Sequence, residues 1–279
     1  MVGRLDIGAR IGPFETPIDD DYIRAYAEAT LDDNPQYSDG SAVPPTAIAT
    51  RVFESQLAGM EALIPASVRE AATGGVHGEH DLVLHRPIMP GEELVTFVEA
   101  HSARPFRDNV RIVFRHLTVD SSERPVAEQL WTTVLLGTTC AAEGPDTPDH
   151  AFPAEAREGA SSEHVVRIDE VMARRYAEVS GDFSAHHFDV EAARRSGFDS
   201  VFLHGLCTMG LCAQAAVRTV AGGDPRLVRR VAVRFASPAF LGNDLRIGMY
   251  RMRADAYAFE ASCAGAKVIG NGRVELVGA

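Results

Sequence analysis

No window of this 279-residue chain approaches eighteen consecutive apolar residues, and the opening stretch, MVGRLDIGARIGPFETP, lacks a basic region followed by an apolar core. Neither membrane insertion nor export is expected, so the expected location is cytoplasmic. Cysteine is scarce. Cys140, Cys207, Cys212 and Cys263 form no CxxC pair, and Cys207 and Cys212 fall in an apolar helical run that suits small buried thiols. No disulfide and no zinc site are expected. Positive charge is also in deficit: 27 Lys and Arg stand against 39 Asp and Glu, a formal charge of −12, and no strong basic patch offsets it. That balance argues against nucleic acid as a partner. A few arginines still suffice for one phosphate group, and Arg226, Arg229, Arg230 and Arg234 are candidates, although solvated charge flanking a strand explains any one of them equally well.

What the chain does have is a core and a repetition. Its length and 46% hydrophobic content support two domains of modest size. At an offset of 150, IDDDYIRAYAEATLD from Ile18 lies without a gap on IDEVMARRYAEVSGD from Ile168, with seven identical positions that include Tyr26/Tyr176 and Asp32/Asp182. Random pairing would give about one match, so an internal duplication is the economical account. Pro87, Gly91 and Leu94 likewise match Pro238, Gly242 and Leu245. The two halves are expected as versions of one domain, over 1–142 and 164–279. Between them CAAEGPDTPDHAFPAEAREGASSEH has no sustained apolar period, and 143–163 reads as a linker.

Each half reads in the same order. Asp19 or Asp169 is a good N-cap for a short helix ending near Thr30 or Ser180. An irregular Asp-bearing loop follows, then a long helix that is apolar nearly all round: PPTAIATRVFESQLAGMEAL in the first half, HGLCTMGLCAQAAVRTVA in the second. Apolarity on every face implies burial. Beyond the helix, HDLVLHRPIMPG, ELVTFVEAHSA, NVRIVFRHLTVD and VAEQLWTTVLLG, then RRVAVRFASPA, DLRIGMYRMRA, AYAFEASCAG and KVIGNGRVELV, alternate as strands. The implied unit is an antiparallel sheet wrapped around one buried helix, an α+β class.

Chemistry concentrates in YAEVSGDFSAHHFDVEAARRSGFDSVFLHGLCTMG, Tyr176 to Gly210, where Asp182 and His187 lie on a non-periodic segment and His204-Gly205 opens the apolar helix. Alone, Asp182 after Ser-Gly is a turn or capping residue, and His187 is a loop histidine. Together with a glycine at a helix start they form a geometric set suited to proton transfer. His186-His187 with Asp189 offers a metal cluster only weakly, because adjacent side chains diverge and no second ligand motif appears. Cys207 lacks an activating arrangement.

This segment resembles the MaoC-like dehydratases, also called type 2 or (R)-specific enoyl-CoA hydratases, in their double-hot-dog form. The resemblance covers the second half directly and implies tandem hot-dog domains. By it, Asp182 and His187 take the catalytic acid–base positions and Gly205 the backbone oxyanion donor. Ser184, His204, Phe198 and Arg234 are the expected substrate contacts. Ser184, Ala185 and Val201 stand where the family has asparagine and two prolines. The first half keeps Asp32 and Asn34-Pro35 but has Tyr37 at the His187 position and Pro45-Thr46 near the His-Gly position. It is therefore expected to bind and not to react, its apolar helix from Ala47 to Leu63 making room for longer acyl chains.

The implied activity is reversible hydration of a trans-2-enoyl thioester to the (R)-3-hydroxyacyl thioester. Coenzyme A or an acyl-carrier protein is part of the substrate, and no separate cofactor or metal is required. Two other functions stay open at this point: a hot-dog thioesterase, and a non-catalytic acyl-thioester-binding subunit. A homodimer through a sheet edge is compatible with the reading, as is a monomer in which the two halves mimic one.

Overall fold

The computed structural model describes residues 3–159 and 161–278. The first half runs β1 (Arg10–Glu15), α1 (Asp20–Ala29), α2 (Pro35–Ser38), α3 (Ala47–Arg51), α4 (Phe53–Leu63), α5 (Ala66–Ala71), β2 (Gly74–Leu84), β3 (Leu94–Phe106), β4 (Asn109–Asp120) and β5 (Pro125–Leu136). The second runs β6 (Ser161–Ile168), α6 (Glu170–Ser180), α7 (Val190–Arg195), α8 (Gly205–Thr219), β7 (Val228–Arg234), β8 (Asn243–Arg253), β9 (Ala256–Cys263) and β10 (Ala266–Leu276). All ten strands form one antiparallel sheet in the order β1-β3-β4-β5-β2-β7-β10-β9-β8-β6. Read inward from either edge, the five strands of each half follow the same order. The halves join where β2 pairs with β7, with Leu82 opposite Val231, both buried. This is the double hot dog.

Local chemistry accounts for the repeated elements. Asp19 Oδ1 accepts from the Tyr22 N–H at 2.8 Å and Asp169 Oδ1 from the Met172 N–H at 2.9 Å, so each half caps its first helix at the expected aspartate. The Gly91 and Gly242 N–H groups donate to Ile18 and Ile168 carbonyls at 2.8 and 2.9 Å, with φ of +78° and +80°, a region where glycine meets no Cβ penalty. The duplicated tyrosines meet across the molecule. Tyr26 and Tyr176 pack edge to face at 6.3 Å, their hydroxyls bonded to Thr46 and Thr50, which gives both the shared packing role that the repeat implies.

The two central helices are unequal. From Leu206 to Val217 every residue of α8 is buried, as a helix apolar on all faces must be, and Gly210 lets Tyr26 approach: a Cβ there would lie 2.7 Å from the tyrosine oxygen. The equivalent run in the first half is not the single helix that its apolar pattern predicts. It breaks at Val52 into α3 and α4, and α4 buries only Ser55, Gln56 and Gly59. The Ser55 and Gln56 side chains face the sheet. Gln56 bonds the rings and hydroxyls of His116 and Thr133, and Ser55 bonds His116, so helix and sheet meet there through hydrogen bonds as well as apolar contact.

Two edge strands, β1 and β6, escape the sequence pattern. The segment 143–163 read as a linker enters β6 at Ser161, and before that it makes a short 3₁₀ turn at Ala154–Glu158. It is also fastened, with Glu143 paired to Ala103 and His150 Nδ1 bonded to the Asn271 carbonyl at 2.7 Å. The strand read from His80 to Gly91 starts earlier, at Gly74, and ends at Leu84, because the Pro87 to Glu92 turn leaves the ladder. All four cysteines are buried and free. No helix among the described residues is long and apolar enough to cross a membrane.

Candidate active site

Helix α6 stops at Gly181, whose φ of +75° turns the chain sharply and whose N–H returns to the Ala177 carbonyl at 2.8 Å. The turn presents Asp182. Its Oδ1 accepts from the Ser184 N–H at 3.1 Å and from the Ser184 hydroxyl at 2.5 Å, which locks the carboxylate and leaves Oδ2 free of those bonds. A 3₁₀ turn at Ala185–His187 then carries His187 into the protein, where it is 4% exposed. His187 Nε2 faces Asp182 Oδ2 at 3.8 Å, too long for a direct hydrogen bond and suited to one small group held between them.

The tautomer of His187 follows from its other nitrogen. Nδ1 lies 2.8 Å from the Phe202 carbonyl, and a carbonyl oxygen only accepts, so the hydrogen is on Nδ1 and Nε2 keeps its lone pair. Burial holds the imidazole well below its usual pKa, with His204 beside it adding to the effect against the opposing pull of the Phe202 carbonyl and Asp182. The ring is therefore neutral at physiological pH, a proton acceptor aimed at the carboxylate.

His204 backs this pair. Its ring stacks on His187 at 3.7 Å between centroids and 28° between planes, and its Nε2 donates to the Asp182 carbonyl at 2.9 Å. Burial lowers its pKa as well. The Asp182, His187 and His204 ligand atoms lie within 4.8 Å of one another, close enough to invite a metal ion. Stacked rings carry their lone pairs in nearly parallel planes that do not converge on one point, so the set fits proton transfer better than coordination.

Immediately after His204, Gly205 begins α8. No side chain caps the first N–H groups of this buried helix, and the positive end of its dipole lies beside His204. Gly205 is in contact with Phe235: a Cβ there would meet ring carbons at 3.2–3.5 Å.

The structure thus brings together Asp182, Ser184, His187, His204 and Gly205. Phe198 stands one ring away, packed on Phe202 at 4.5 Å. Arg234 is not among them. It is exposed at the end of β7, its Nε 3.6 Å from Glu79. The Asp189 side chain caps α7 by accepting from the Glu191 and Ala192 N–H groups, which removes it from any cluster with His186. Two contributors lay outside the reach of sequence reasoning: the Phe202 carbonyl, a backbone group with no residue signature, and the Phe235 ring, brought to Gly205 from thirty residues away.

One continuous ten-stranded sheet built from two like halves, with a carboxylate and an imidazole gathered beside the start of α8, defines a double-hot-dog protein. The comparisons carry this to a family. Residues 152–268 match the MaoC like domain and residues 5–129 the FAS1-like, dehydratase domain region. Over 216 residues the chain is 30% identical to 3-hydroxyacyl-thioester dehydratase Y of Mycobacterium tuberculosis, covering 72% of each protein. With 3-hydroxyacyl-thioester dehydratase X of the same organism it shares 31% over 228 residues, 81% of this chain and 75% of the relative. A crystal structure of a MaoC-like dehydratase from Phytophthora capsici superposes with a TM-score of 0.82 at 22% identity, over 98% of this chain and 96% of that one. The chain belongs to the MaoC-like dehydratases, a family of lyases.

Proposed function

We propose that this protein interconverts trans-2-enoyl thioesters and (R)-3-hydroxyacyl thioesters, with Asp182 and His187 as the acid–base pair and Gly205 as the oxyanion donor. The observation that carries the proposal is the 3.8 Å gap between Asp182 Oδ2 and a lone-pair-bearing His187 Nε2, set at the uncapped start of α8. A water held in that gap by both groups gives up a proton to the pair as its oxygen bonds to C3. Electron density moves through C2 onto the thioester oxygen, which the Gly205 N–H and the helix dipole stabilise. The proton held at the pair then returns to C2 from the same side, so that addition is syn and the atoms of water are all accounted for. Ser184 and His204 hold the carboxylate and the imidazole in register and are positioning residues.

The names of the two mycobacterial relatives, both 3-hydroxyacyl-thioester dehydratases, support the substrate class and the reverse, water-losing direction of the same reaction. Hydration is tested by incubating purified protein with an enoyl-CoA while following loss of the conjugated absorbance, free thiol release and the configuration of the product. The proposal expects an (R)-3-hydroxyacyl product without thiol release. Thiol release without hydration would make the protein a thioesterase and overturn it.

A further inference from the structure

His77, His80 and His116 stand on the first-half strands β2 and β4, whereas β7 to β10 of the second half carry no histidine. The buried strand residues that share one cluster with α8 are apolar, Val233, Ile247 and Phe259 among them. The catalytic reading leaves the first-half rings without a task.

These rings are tied together. His80 Nε2 lies 2.9 Å from Gln129 Oε1 and His80 Nδ1 lies 3.3 Å from His77 Nε2, so the His77 ring is held through two wholly buried side chains. His77 stacks on Trp131 at 4.0 Å between centroids with 6° between planes. The indole is hemmed in by His80 at 5.3 Å, His116 at 6.3 Å and Phe53 of α4 at 6.4 Å. His77 also meets Phe235 at 4.8 Å, and Phe235 is the ring in contact with Gly205. A continuous row, Gly205 to Phe235 to His77 to Trp131, therefore crosses the seam between β7 and β2 into the first half. Its near members, Gly205, Phe235 and His77, are only partly buried, while Trp131 is 6% exposed. The row is accessible at the reacting end and closed at the far end.

We propose that His77 and Trp131 set the length of acyl chain that the site accepts. A chain whose thioester oxygen is held at Gly205 runs along Phe235 and stops against the stacked imidazole and indole, so the preferred substrates are short enoyl thioesters and not the longer ones that the apolar run from Ala47 to Leu63 suggests. The proposal rests on the thioester reading above. A short tail gains apolar contact with the rings and leaves the hydrogen bonds behind them intact. A longer tail must push the stack aside, which separates His77 from His80 and leaves buried polar groups unpaired.

Trp131 is the chain's single tryptophan, so the emission of the full-length protein reports on this place alone. Titration with saturated acyl-CoA thioesters, which bind without being hydrated, is expected to leave that emission unchanged with acetyl-CoA and to alter it with hexanoyl-CoA, with no gain in affinity from hexanoyl-CoA to decanoyl-CoA. This measurement needs no variant to fold. In turnover, kcat/KM is expected to fall at least tenfold from trans-2-hexenoyl-CoA to trans-2-decenoyl-CoA, chiefly through KM. Trp131→Ala and His77→Ala should each relieve that fall, whereas Trp131→Phe, which keeps a ring in place, should retain it. An emission that no acyl-CoA alters, or an affinity that keeps rising to decanoyl-CoA, overturns the proposal. The expected emission changes in a protein that hydrates no enoyl thioester would defeat the catalytic reading and leave the length limit standing.

Discussion

Asp32 and Asp182 sit in equivalent turns after equivalent helices, and each accepts from the N–H two residues on, Asn34 at 3.3 Å and Ser184 at 3.1 Å. Their surroundings then diverge. Asp182 is 20% exposed at its side chain and faces a lone pair on His187, whereas Asp32 is 6% exposed and faces the phenol of Tyr37. Burial pushes both the Asp32 carboxyl and the Tyr37 phenol upward in pKa, and the Tyr37 hydroxyl has no partner among the described residues. The last turn of α8 closes this loop: Arg218 lies 2.5 Å from Asp33 and 3.9 Å from Asp32, and Gln214 donates to the Leu31 carbonyl. Pro45, near the position of the His-Gly pair, has no N–H to offer. The same turn therefore serves a sealed packing joint in one half and holds a carboxylate facing an imidazole in the other, and an aspartate there is not by itself evidence of chemistry.

The largest expected break in this comparison is at the site. His187→Ala should lower kcat by roughly a hundred- to ten-thousandfold. Adding Tyr37→His to it should restore nothing, because Arg218 and Asp33 still close the first-half loop; recovery of rate would show that half to be latent and not sealed. The helices give the next contrast. Leu211→Ala in the wholly buried α8 should cost about 2–5 kcal/mol in denaturant unfolding, against less than about 0.5 kcal/mol for Leu57→Ala on the exposed side of α4. Equal losses would mean that α4 is as enclosed as α8.

Histidines sharpen the comparison further. Burial holds His80, bonded to Gln129, at about 4 and His116, bonded to Ser55 and Gln56 of α4, at about 3. Their folded pKa values lie below the unfolded value of about 6.5, so their contribution to stability is complete above that pH and is lost as pH falls towards 4 and 3, by up to about 1.4 kcal/mol per unit for each. Melting temperatures should therefore fall steeply below pH 6; a flat profile between pH 6 and 4 would contradict neutral buried rings. The smallest effect is expected for Tyr37→Phe, which removes an unpartnered buried hydroxyl and should leave stability unchanged or raise it by about 1 kcal/mol.

Much of this was legible in the sequence. The repeat gave both halves, β4 spans the alternating NVRIVFRHLTVD segment, and the Asp182, His187 and Gly205 set stands in one continuous stretch. Edge strands were not legible because each pairs on one side only: β1 buries none of its residues fully, and from Ser162 to Ile168 of β6 the one fully buried residue is Ile168. The break at Val52 was hidden by an apolar pattern that continues across it. Phe235 over Gly205 and the stacking of His77 on Trp131 depend on strand register between distant segments, which no local pattern records.

The most direct test of the central claim is the rate of enoyl-CoA hydration by Asp182→Asn and Asp32→Asn measured side by side with the wild type. We expect the rate to fall at least a hundredfold in Asp182→Asn and to stay within about threefold of wild type in Asp32→Asn. Wild-type turnover by Asp182→Asn, or an equal loss in both variants, would contradict the assignment of the reaction to the second half.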